Sequence, residues 1–300
     1  MTARVLGIDV GGTTMKAAIR SRRADGTVTD AEYAVRRPTP PDETAVEALS
    51  EFAGTLIAEH GPVDAVGLAI PGIVDDAAGI AEFSVAPTWR ALPLRDAMAA
   101  RLGVPVAFGH DTRIGGLAEG RAGAAVGCRD YLFVTLGTGV GGMLCLDGTP
   151  RLGPHHRAGE LGHVVVDPQG VLCGCGQRGC LETIASAPGI TRQYGDGGVS
   201  AREVAERAAA GEPRASEVWE AATSALATAL ESAITLLDLD LVVLGGGIAQ
   251  AGEQLLEPVR RELAARITFQ RMPEIVCAAL GDDAAVLGAA LIAFDLIGKS

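Results

Sequence analysis

Two apolar segments flank a glycine turn in the stretch Arg4-Val-Leu-Gly-Ile-Asp-Val-Gly-Gly-Thr-Thr-Met-Lys-Ala-Ala-Ile-Arg20. Residues 5–10 predict a buried strand and residues 15–20 a second strand, because apolar side chains dominate both segments. A second strand, not a helix, follows the glycines, so the stretch matches neither the P-loop pattern nor the dinucleotide-binding fingerprint. The first local structure predicted for the chain is therefore a β-hairpin closed by a glycine turn.

The same pattern returns in the second half of the chain. Residues 131–136 predict a strand, residues 137–142 a glycine turn, and residues 142–146 a second strand. The other predicted helices span 42–59, 94–102, 112–121, 201–210, 216–237, 252–266 and 283–296, and the other predicted strands span 28–35, 65–70, 104–108, 241–244 and 275–279. Alternating strands and helices predict an α/β fold. Two halves with the same opening predict a duplicated architecture with a cleft between its parts.

A phosphate group is the ligand that the chemistry of these turns favours. Glycines let the backbone approach closely, successive amides can face an anion, and threonine hydroxyls add donors. Burial of a carboxylate at the end of a strand costs free energy unless the charge is compensated. Binding of hydrated Mg²⁺ would compensate the charge of Asp9. One such loop is a common hairpin turn, but three loops at the ends of buried strands predict a nucleotide site. Its predicted residues are Asp9, Gly11, Gly12, Thr13, Thr14, Lys16, Gly137, Thr138, Gly139, Gly245, Gly246 and Gly247.

Three cysteines and a histidine lie close together in the middle of the chain. The cysteines belong to the stretch Cys173-Gly-Cys-Gly-Gln-Arg-Gly-Cys-Leu-Glu182, and Glu160 and His163 lie just upstream. Zinc prefers four tetrahedral sulfur and nitrogen ligands, and Cys₃His is one of its structural sets. The predicted zinc ligands are His163, Cys173, Cys175 and Cys180. The flanking carboxylates favour a scaffold for a polar ligand; the alternatives are a purely structural zinc, or a disulfide with one free thiol.

Composition restricts the class of protein. The 300 residues are 48% apolar and carry a net charge of −12, which is typical of a globular chain and argues against nucleic acid as the main partner. We find no leader-like segment before residue 4 and no apolar run of membrane-spanning length, so we expect no membrane association. Cysteines suited to zinc also fit a reducing compartment, so we expect a cytoplasmic location.

Four motifs together resemble the ROK family of repressors and sugar kinases. They are Asp9-x-Gly-Gly-Thr-x-x-Lys16, Leu136-Gly-Thr-Gly-Val-Gly-Gly142, Glu160-x-Gly-His163 and Cys173-Gly-Cys-Gly-x-x-Gly-Cys-x-Glu182. The resemblance implies an actin-like, hexokinase-type fold of two ribonuclease-H-like domains that bind Mg·ATP and a sugar. We place these domains at residues 1–122 plus 284–300, and at residues 123–283. It also implies transfer of the γ-phosphoryl group of ATP to a hexose, usually to its 6-hydroxyl.

The resemblance assigns roles to single residues. It implies that Asp111 is the catalytic base, and that one ring nitrogen of His163 faces zinc while the other faces the sugar. The residues implied to contact the sugar are Gly72, His110, Asp111, Glu160, His163 and Glu182. Two segments depart from the family pattern: His110-Asp-Thr-Arg113 replaces Asn-Asp-x-Asn, and Ala86-Pro-Thr-Trp89 lacks the asparagine that precedes the family's tryptophan. Both departures concern the sugar, so the identity of the hexose is the open question.

Glucose is the substrate that these expectations favour, with a hexose kinase as the predicted enzyme. N-acetylmannosamine and N-acetylglucosamine are alternatives, because Glu182-Thr-Ile-Ala-Ser186 resembles acylmannosamine kinases as well as glucokinases. Polyphosphate is an alternative donor, and a sugar-sensing regulator without catalysis is the alternative from another class. The family's repressors carry a winged helix before the kinase body, and its absence before Asp9 favours an enzyme. The family's habit also implies a homodimer or homotetramer.

Overall fold

The computed structural model of the chain describes residues 3–39, 45–85 and 88–298. The chain forms two units, one of Met1–Ala118 with Asp283–Ser300 and one of Glu119–Asp282. The predicted helix start at Asp42 and the first two residues of the segment Ala86-Pro-Thr-Trp89 lie outside the described residues. No described helix is both long and apolar enough to cross a membrane.

Strands and helices alternate along most of the chain. The first unit begins with β1 (Ala3–Val10), β2 (Thr14–Arg22), β3 (Tyr33–Pro38), α1 (Ala45–His60), β4 (Ala65–Ile70), β5 (Ile73–Asp75), β6 (Ile80–Val85), β7 (Thr88–Leu92), α2 (Leu94–Leu102) and β8 (Val106–His110). Helix α3 (Asp111–Ala122) begins in the first unit, and its last four residues belong to the second. The second unit contains β9 (Tyr131–Leu136), β10 (Val140–Leu146), β11 (Thr149–Pro150), α4 (Glu182–Ala185), α5 (Ala187–Tyr194), α6 (Ala201–Ala209), α7 (Pro213–Leu237), β12 (Leu241–Gly245), α8 (Glu253–Arg266) and β13 (Glu274–Cys277). Helix α9 (Ala284–Gly298) returns to the first unit.

The two five-stranded sheets have the same strand arrangement. Their orders are β3-β2-β1-β4-β8 and β11-β10-β9-β12-β13. In each sheet the first three strands along the chain are antiparallel neighbours, and the first strand also pairs in parallel with the fourth. Both predicted hairpins are present, with Asp9 opposite Lys16 and Leu136 opposite Val140. The predicted duplicated α/β fold of the actin-like type is therefore confirmed.

Side chains of β1 alternate between two packed faces of the first sheet. Leu6 and Ile8 are fully buried in a cluster with α1 and α2, whereas Val5 packs on the opposite face with α9. Gly7 also faces α9, where a Cβ atom would lie only 2.5 Å from the carbonyl oxygen of Val286. Glycine at this position therefore permits the close contact between α9 and the sheet.

The second sheet is also covered on both faces. Leu132 and Leu244 belong to a large cluster with α5, α6, α7 and α8. Phe133 and Met143 belong to a smaller cluster on the other face. Leu181, at the end of the cysteine-rich segment, is fully buried in the large cluster, and this anchors that segment to the sheet.

Some elements differ from the sequence predictions. The strand predicted at 28–35 lies at Tyr33–Pro38 instead, and Val28 forms only an isolated bridge with Arg22. The three-stranded sheet β5-β6-β7 and the short helices α4 and α5 were not predicted. These elements are short, and short segments carry little hydrophobic periodicity.

Candidate active site and metal centre

The first glycine turn connects β1 to β2 and presents exposed residues. Gly12, Thr13 and Thr14 are exposed, while Asp9 is half-buried at the end of β1. The backbone N–H of Gly11 donates to the carbonyl of Thr14 at 3.0 Å and closes the turn. Thr39 also holds it, since its Oγ1 donates to the carbonyl of Gly11 at 2.6 Å and its N–H donates to the carbonyl of Thr13 at 3.0 Å.

The second glycine turn connects β9 to β10 and adjoins the third glycine cluster. The N–H of Gly137 donates to the carbonyl of Gly139 at 3.0 Å, and the N–H of Ala187, at the start of α5, donates to the carbonyl of Gly137 at 2.8 Å. Gly246 has a φ of 84°, and a Cβ there would lie 2.4 Å from the carbonyl oxygen of Leu136. Two of the predicted nucleotide-binding loops therefore lie side by side, and glycine is required where they touch.

Asp111 begins α3 directly after β8 ends at His110. Its Oδ1 accepts hydrogen bonds from the N–H and, at 3.2 Å, the Oγ1 of Thr112. The side chain of Asp111 is 28% exposed, and the Nδ1 atom of His110 lies 3.5 Å from its Oδ1. A helix N-terminus favours negative charge, so the fold presents an accessible carboxylate in a stabilising position.

Gly72 lies in the turn between β4 and β5 with a φ of 92°. A Cβ atom at this position would lie 2.2 Å from the carbonyl oxygen of Phe83. The left-handed conformation and the close approach of β6 both require glycine. The structure thus gives Gly72 a role in the backbone of the first unit, independent of any ligand.

The predicted metal ligands lie together. The donor atoms of His163, Cys173, Cys175 and Cys180 are all within 4.8 Å of one another. The Sγ atoms of Cys175 and Cys180 are 3.6 Å apart, and the Nδ1 of His163 is 3.7 Å from the Sγ of Cys173. Two sulfurs bound to one tetrahedral zinc at about 2.3 Å would be about 3.8 Å apart. The four donors therefore fit a zinc ion in number, type and spacing.

The disulfide alternative does not agree with this geometry. All six cysteines are free, and the 3.6 Å between the Sγ atoms of Cys175 and Cys180 is far longer than a disulfide bond of about 2.05 Å. Burial raises the pKa of the Cys180 thiol to about 12, whereas a hydrogen bond from the Gln177 backbone lowers the pKa of Cys175. A bound metal would have to displace the thiol protons.

His163 has its two ring nitrogens directed to different neighbours. Nδ1 faces the Cys173 thiol at 3.7 Å, and Nε2 lies 3.9 Å from the Oε2 of Glu160. Glu160 is exposed and His163 is half-buried. The imidazole therefore lies between the cysteine cluster and the exposed carboxylate of Glu160, which the sequence analysis predicts to bind the sugar.

Val140, the first residue of β10, contacts both the predicted sugar-binding motifs and the second glycine turn. The Oε2 of Glu182 accepts a hydrogen bond from the N–H of Val140 at 2.9 Å. Gly162, within the Glu160–His163 motif, approaches the same residue so closely that a Cβ would lie 2.1 Å from the Val140 carbonyl oxygen. Predicted sugar ligands and the second glycine turn are thus connected within one unit.

Sequence reasoning missed the contacts of two residues that shape the site. Thr39 binds the first glycine turn, and Arg113, which is buried, donates to Asp76 at 2.8 Å and connects the first turn of α3 to the segment after β5. The only signal for Arg113 was its departure from the family's asparagine. No local pattern marks Thr39, because its partner is 28 residues away.

Comparisons with known proteins cover both units. A sequence model of the ROK family matches residues 5–295. The glucokinase of Thermotoga maritima is 33% identical over 319 residues, which cover 98% of each chain. The kanosamine kinase of Amycolatopsis mediterranei is 34% identical over 297 residues, which cover 96% of this chain and 95% of that one. The solved structure of a ROK family glucokinase from Streptomyces griseus in complex with glucose and AMPPNP is 31% identical, has a TM-score of 0.83, and covers 98% of this chain and 100% of that chain.

Proposed function

The chain belongs to the ROK family, and we propose that it is a kinase that transfers the γ-phosphoryl group of ATP to the 6-hydroxyl of glucose. The observation that carries the proposal is the placement of Asp111, an accessible carboxylate at the first residue of α3, directly after a buried strand. The similarity to a glucokinase extends over 98% of the chain, and supports glucose as the acceptor.

Asp111 acts as the general base in this mechanism. The oxygen of the 6-hydroxyl attacks the γ-phosphorus while its proton passes to the Asp111 carboxylate, and the bond from the γ-phosphorus to the bridging oxygen breaks to release ADP. The N–H and hydroxyl of Thr112 hold the carboxylate through Oδ1. Positioning and charge stabilisation supply most of the rate in phosphoryl transfer, so the orientation of Asp111 matters as much as its basicity.

The two glycine turns bind the phosphates through backbone N–H groups, and Gly245–Gly247 lies on the adenosine side. Asp9 and Lys16 are opposite each other on β1 and β2, so one carboxylate and one ammonium group flank the first turn. Asp9 is the residue that would hold hydrated Mg²⁺, and the ion would supply positive charge against the phosphates. The exposed Thr13 and Thr14 add hydroxyl donors to the same turn.

Glu160, His163 and Glu182 bind sugar hydroxyls. The Nε2 of His163 faces Glu160, so these two side chains can bind one ligand together. His163, Cys173, Cys175 and Cys180 would hold a zinc ion, which would order this segment and fix the His163 tautomer. The residues of the chain then present one ring nitrogen and two carboxylates to the sugar.

A different sugar is the second candidate within the same class. The kanosamine kinase is as similar to this chain as the glucokinase, and His110 replaces the asparagine that the family pattern has beside the base. N-acetylmannosamine, N-acetylglucosamine and kanosamine therefore belong in the substrate panel. A regulator without catalysis predicts binding of a sugar without turnover.

The test is ADP release with Mg·ATP across glucose, mannose, kanosamine, N-acetylglucosamine and N-acetylmannosamine. Formation of the sugar phosphate is measured in parallel with polyphosphate as an alternative donor, which releases no ADP. We expect phosphorylation of glucose at the 6-position, identified by NMR of the product. Turnover of another sugar in place of glucose would correct the substrate and retain the kinase. Sugar binding by calorimetry without a phosphorylated product from either donor would contradict the kinase and favour the regulator.

A further inference from the structure

A single carboxylate connects the metal-binding segment to the second glycine turn. Glu182 is the first residue of α4 and follows Cys180 by two positions. Its Oε2 accepts a hydrogen bond from the N–H of Val140 at 2.9 Å. Val140 follows Gly139 directly and begins β10. The end of the cysteine-rich segment and the end of the turn are therefore held together by a charge-assisted bond.

The sequence of the turn is adapted to this carboxylate. A Cβ atom on Gly139 would lie 2.8 Å from the Oε2 of Glu182, whereas a Cβ on Gly137, in the same turn, would meet no atom within 4 Å. Neither glycine has the left-handed φ that would itself require glycine. The absence of a side chain at residue 139 is therefore explained by the approach of Glu182 and not by backbone conformation.

The loop that contains Glu160 and His163, the other predicted sugar ligands, also contacts Val140. A Cβ on Gly162 would lie 2.1 Å from the carbonyl oxygen of Val140, so Glu160 and His163 flank a residue in close contact with Val140. The N–H of Val140 thus donates to Glu182, and the carbonyl of Val140 lies against Gly162 in the Glu160–His163 loop. A displacement of the turn would therefore move both Glu182 and the Glu160–His163 loop, because both contact the backbone of Val140.

We propose that Glu182 couples hexose binding to nucleotide binding: Oε1 accepts from a sugar hydroxyl while Oε2 fixes the second glycine turn. The inference rests on the proposed function and adds to it a positioning role for a sugar ligand at the nucleotide turn. A sugar that holds the Glu182 carboxylate also holds the turn in its nucleotide-binding form. By thermodynamic reciprocity, a nucleotide that holds the turn raises the affinity for the sugar by the same factor.

The first arm of the test measures sugar affinity in a variant of the nucleotide turn. Gly139→Ala places a methyl group against the Glu182 carboxylate, and Gly197→Ala, outside the proposed site, is the matched control with open space around its methyl. Glucose binding is measured by calorimetry without nucleotide. We expect the Kd of Gly139→Ala to rise about fivefold or more, while that of Gly197→Ala stays within twofold of the wild type.

The second arm measures nucleotide affinity in variants of the sugar ligands. Glu182→Ala and Glu160→Ala each remove one negative charge, and charge alone would tighten the binding of Mg·AMPPNP. Without sugar, we expect Glu182→Ala to weaken Mg·AMPPNP about fivefold or more and Glu160→Ala not to weaken it. Glu182→Gln keeps an acceptor oxygen for the Val140 N–H and should fall between the wild type and Glu182→Ala.

The inference requires both arms, and either variant that behaves like its control overturns it. Thermal melting of each variant verifies that it is folded; if Gly139→Ala does not fold, the nucleotide arm decides. Wild-type protein that phosphorylates a hexose while the variants match their controls would overturn the coupling and leave the proposed function intact. Wild-type protein that binds Mg·AMPPNP but no hexose would overturn both.

Discussion

The two glycine turns occupy the same place in two sheets of the same strand order, yet different parts of the chain hold them. The first turn is closed by its own backbone and bound by Thr39, which follows the neighbouring strand β3. The second turn is contacted by Glu182, by Ala187 at the start of α5, and by the Gly246 loop. The repeated hairpin sets where each turn lies, whereas the segment between β11 and α6 and the loop after β12 decide what the second turn is connected to.

The largest expected effect concerns a residue that has no counterpart in the second unit. β8 leads directly into Asp111, whereas β13, which occupies the equivalent edge of the second sheet, is followed by Ala278 and Ala279. The proposed base therefore has no carboxylate at the equivalent position directly after β13. Asp111→Asn should retain glucose binding and lose kcat by about 10²- to 10⁴-fold, the usual range for a general base.

Steady-state kinetics and calorimetry on the same preparation would test this assignment. Asp96→Asn is a matched control, because it makes the same chemical change at an exposed position on α2. Near-normal turnover of Asp111→Asn would show that another group accepts the proton. The difference between the residues that follow β8 and β13 would then not be related to catalysis.

Removal of one metal ligand should distinguish the two turns. Cys175→Ser is expected to reduce the zinc content and to lower Tm by about 5 °C or more, equivalent to about 2 kcal/mol for a chain of this size. Because Glu182 connects the metal segment to Val140, hydrogen exchange should accelerate in residues 137–142 and stay unchanged in residues 11–16.

Elemental analysis, thermal melting and hydrogen-exchange mass spectrometry supply the three readouts. Cys128→Ser removes a thiol outside the cluster and should keep the zinc. Full stability of Cys175→Ser together with metal-free wild-type protein would contradict the zinc assignment. Equal acceleration in both turns would instead show that the metal segment stabilises the whole chain and not the second turn in particular.

Local patterns account for what could be predicted from the sequence. The two hairpins follow from apolar runs around glycine turns, and the clustering of His163 with three cysteines follows from the donor chemistry of Cys₃His. The sheet of β5, β6 and β7 was missed, because its strands are three to six residues long. The hydrogen bond from Val140 to Glu182 spans 42 residues. Its donor is a backbone N–H, which nearly every residue type has, so the sequence does not reveal this bond.

His110 should affect the choice of sugar and leave both turns unchanged. Its Nδ1 is buried without a hydrogen-bond partner among the described residues, 3.5 Å from the Oδ1 of Asp111. His110→Asn replaces a ring with a smaller amide beside the base. A changed pocket contact discriminates between substrates by about tenfold, so the ratio of kcat/KM between glucose and the other hexoses should change by about that factor.

The substrate panel, repeated with His110→Asn, gives this ratio, and the KM for ATP serves as the internal control. His60→Asn makes the same change at a histidine on the end of α1 and should leave the ratio unaltered. An identical sugar profile in His110→Asn and the wild type would place the side chain away from the sugar.

The smallest expected effect tests how the first turn is held. Thr39→Val keeps the shape of the side chain and removes the donor to the Gly11 carbonyl, a bond of 2.6 Å. A single hydrogen bond contributes about 1 kcal/mol, so the Kd for Mg·AMPPNP should rise by no more than about fivefold. Zinc content and hydrogen exchange in residues 137–142 should not change, because no described contact of Thr39 reaches the second unit. Thr149→Val, at an exposed position of β11, is the control for loss of a threonine hydroxyl. If Thr39→Val accelerates hydrogen exchange in the second turn as much as in the first, the two turns are not held independently. Their different contacts would then not lead to different behaviour.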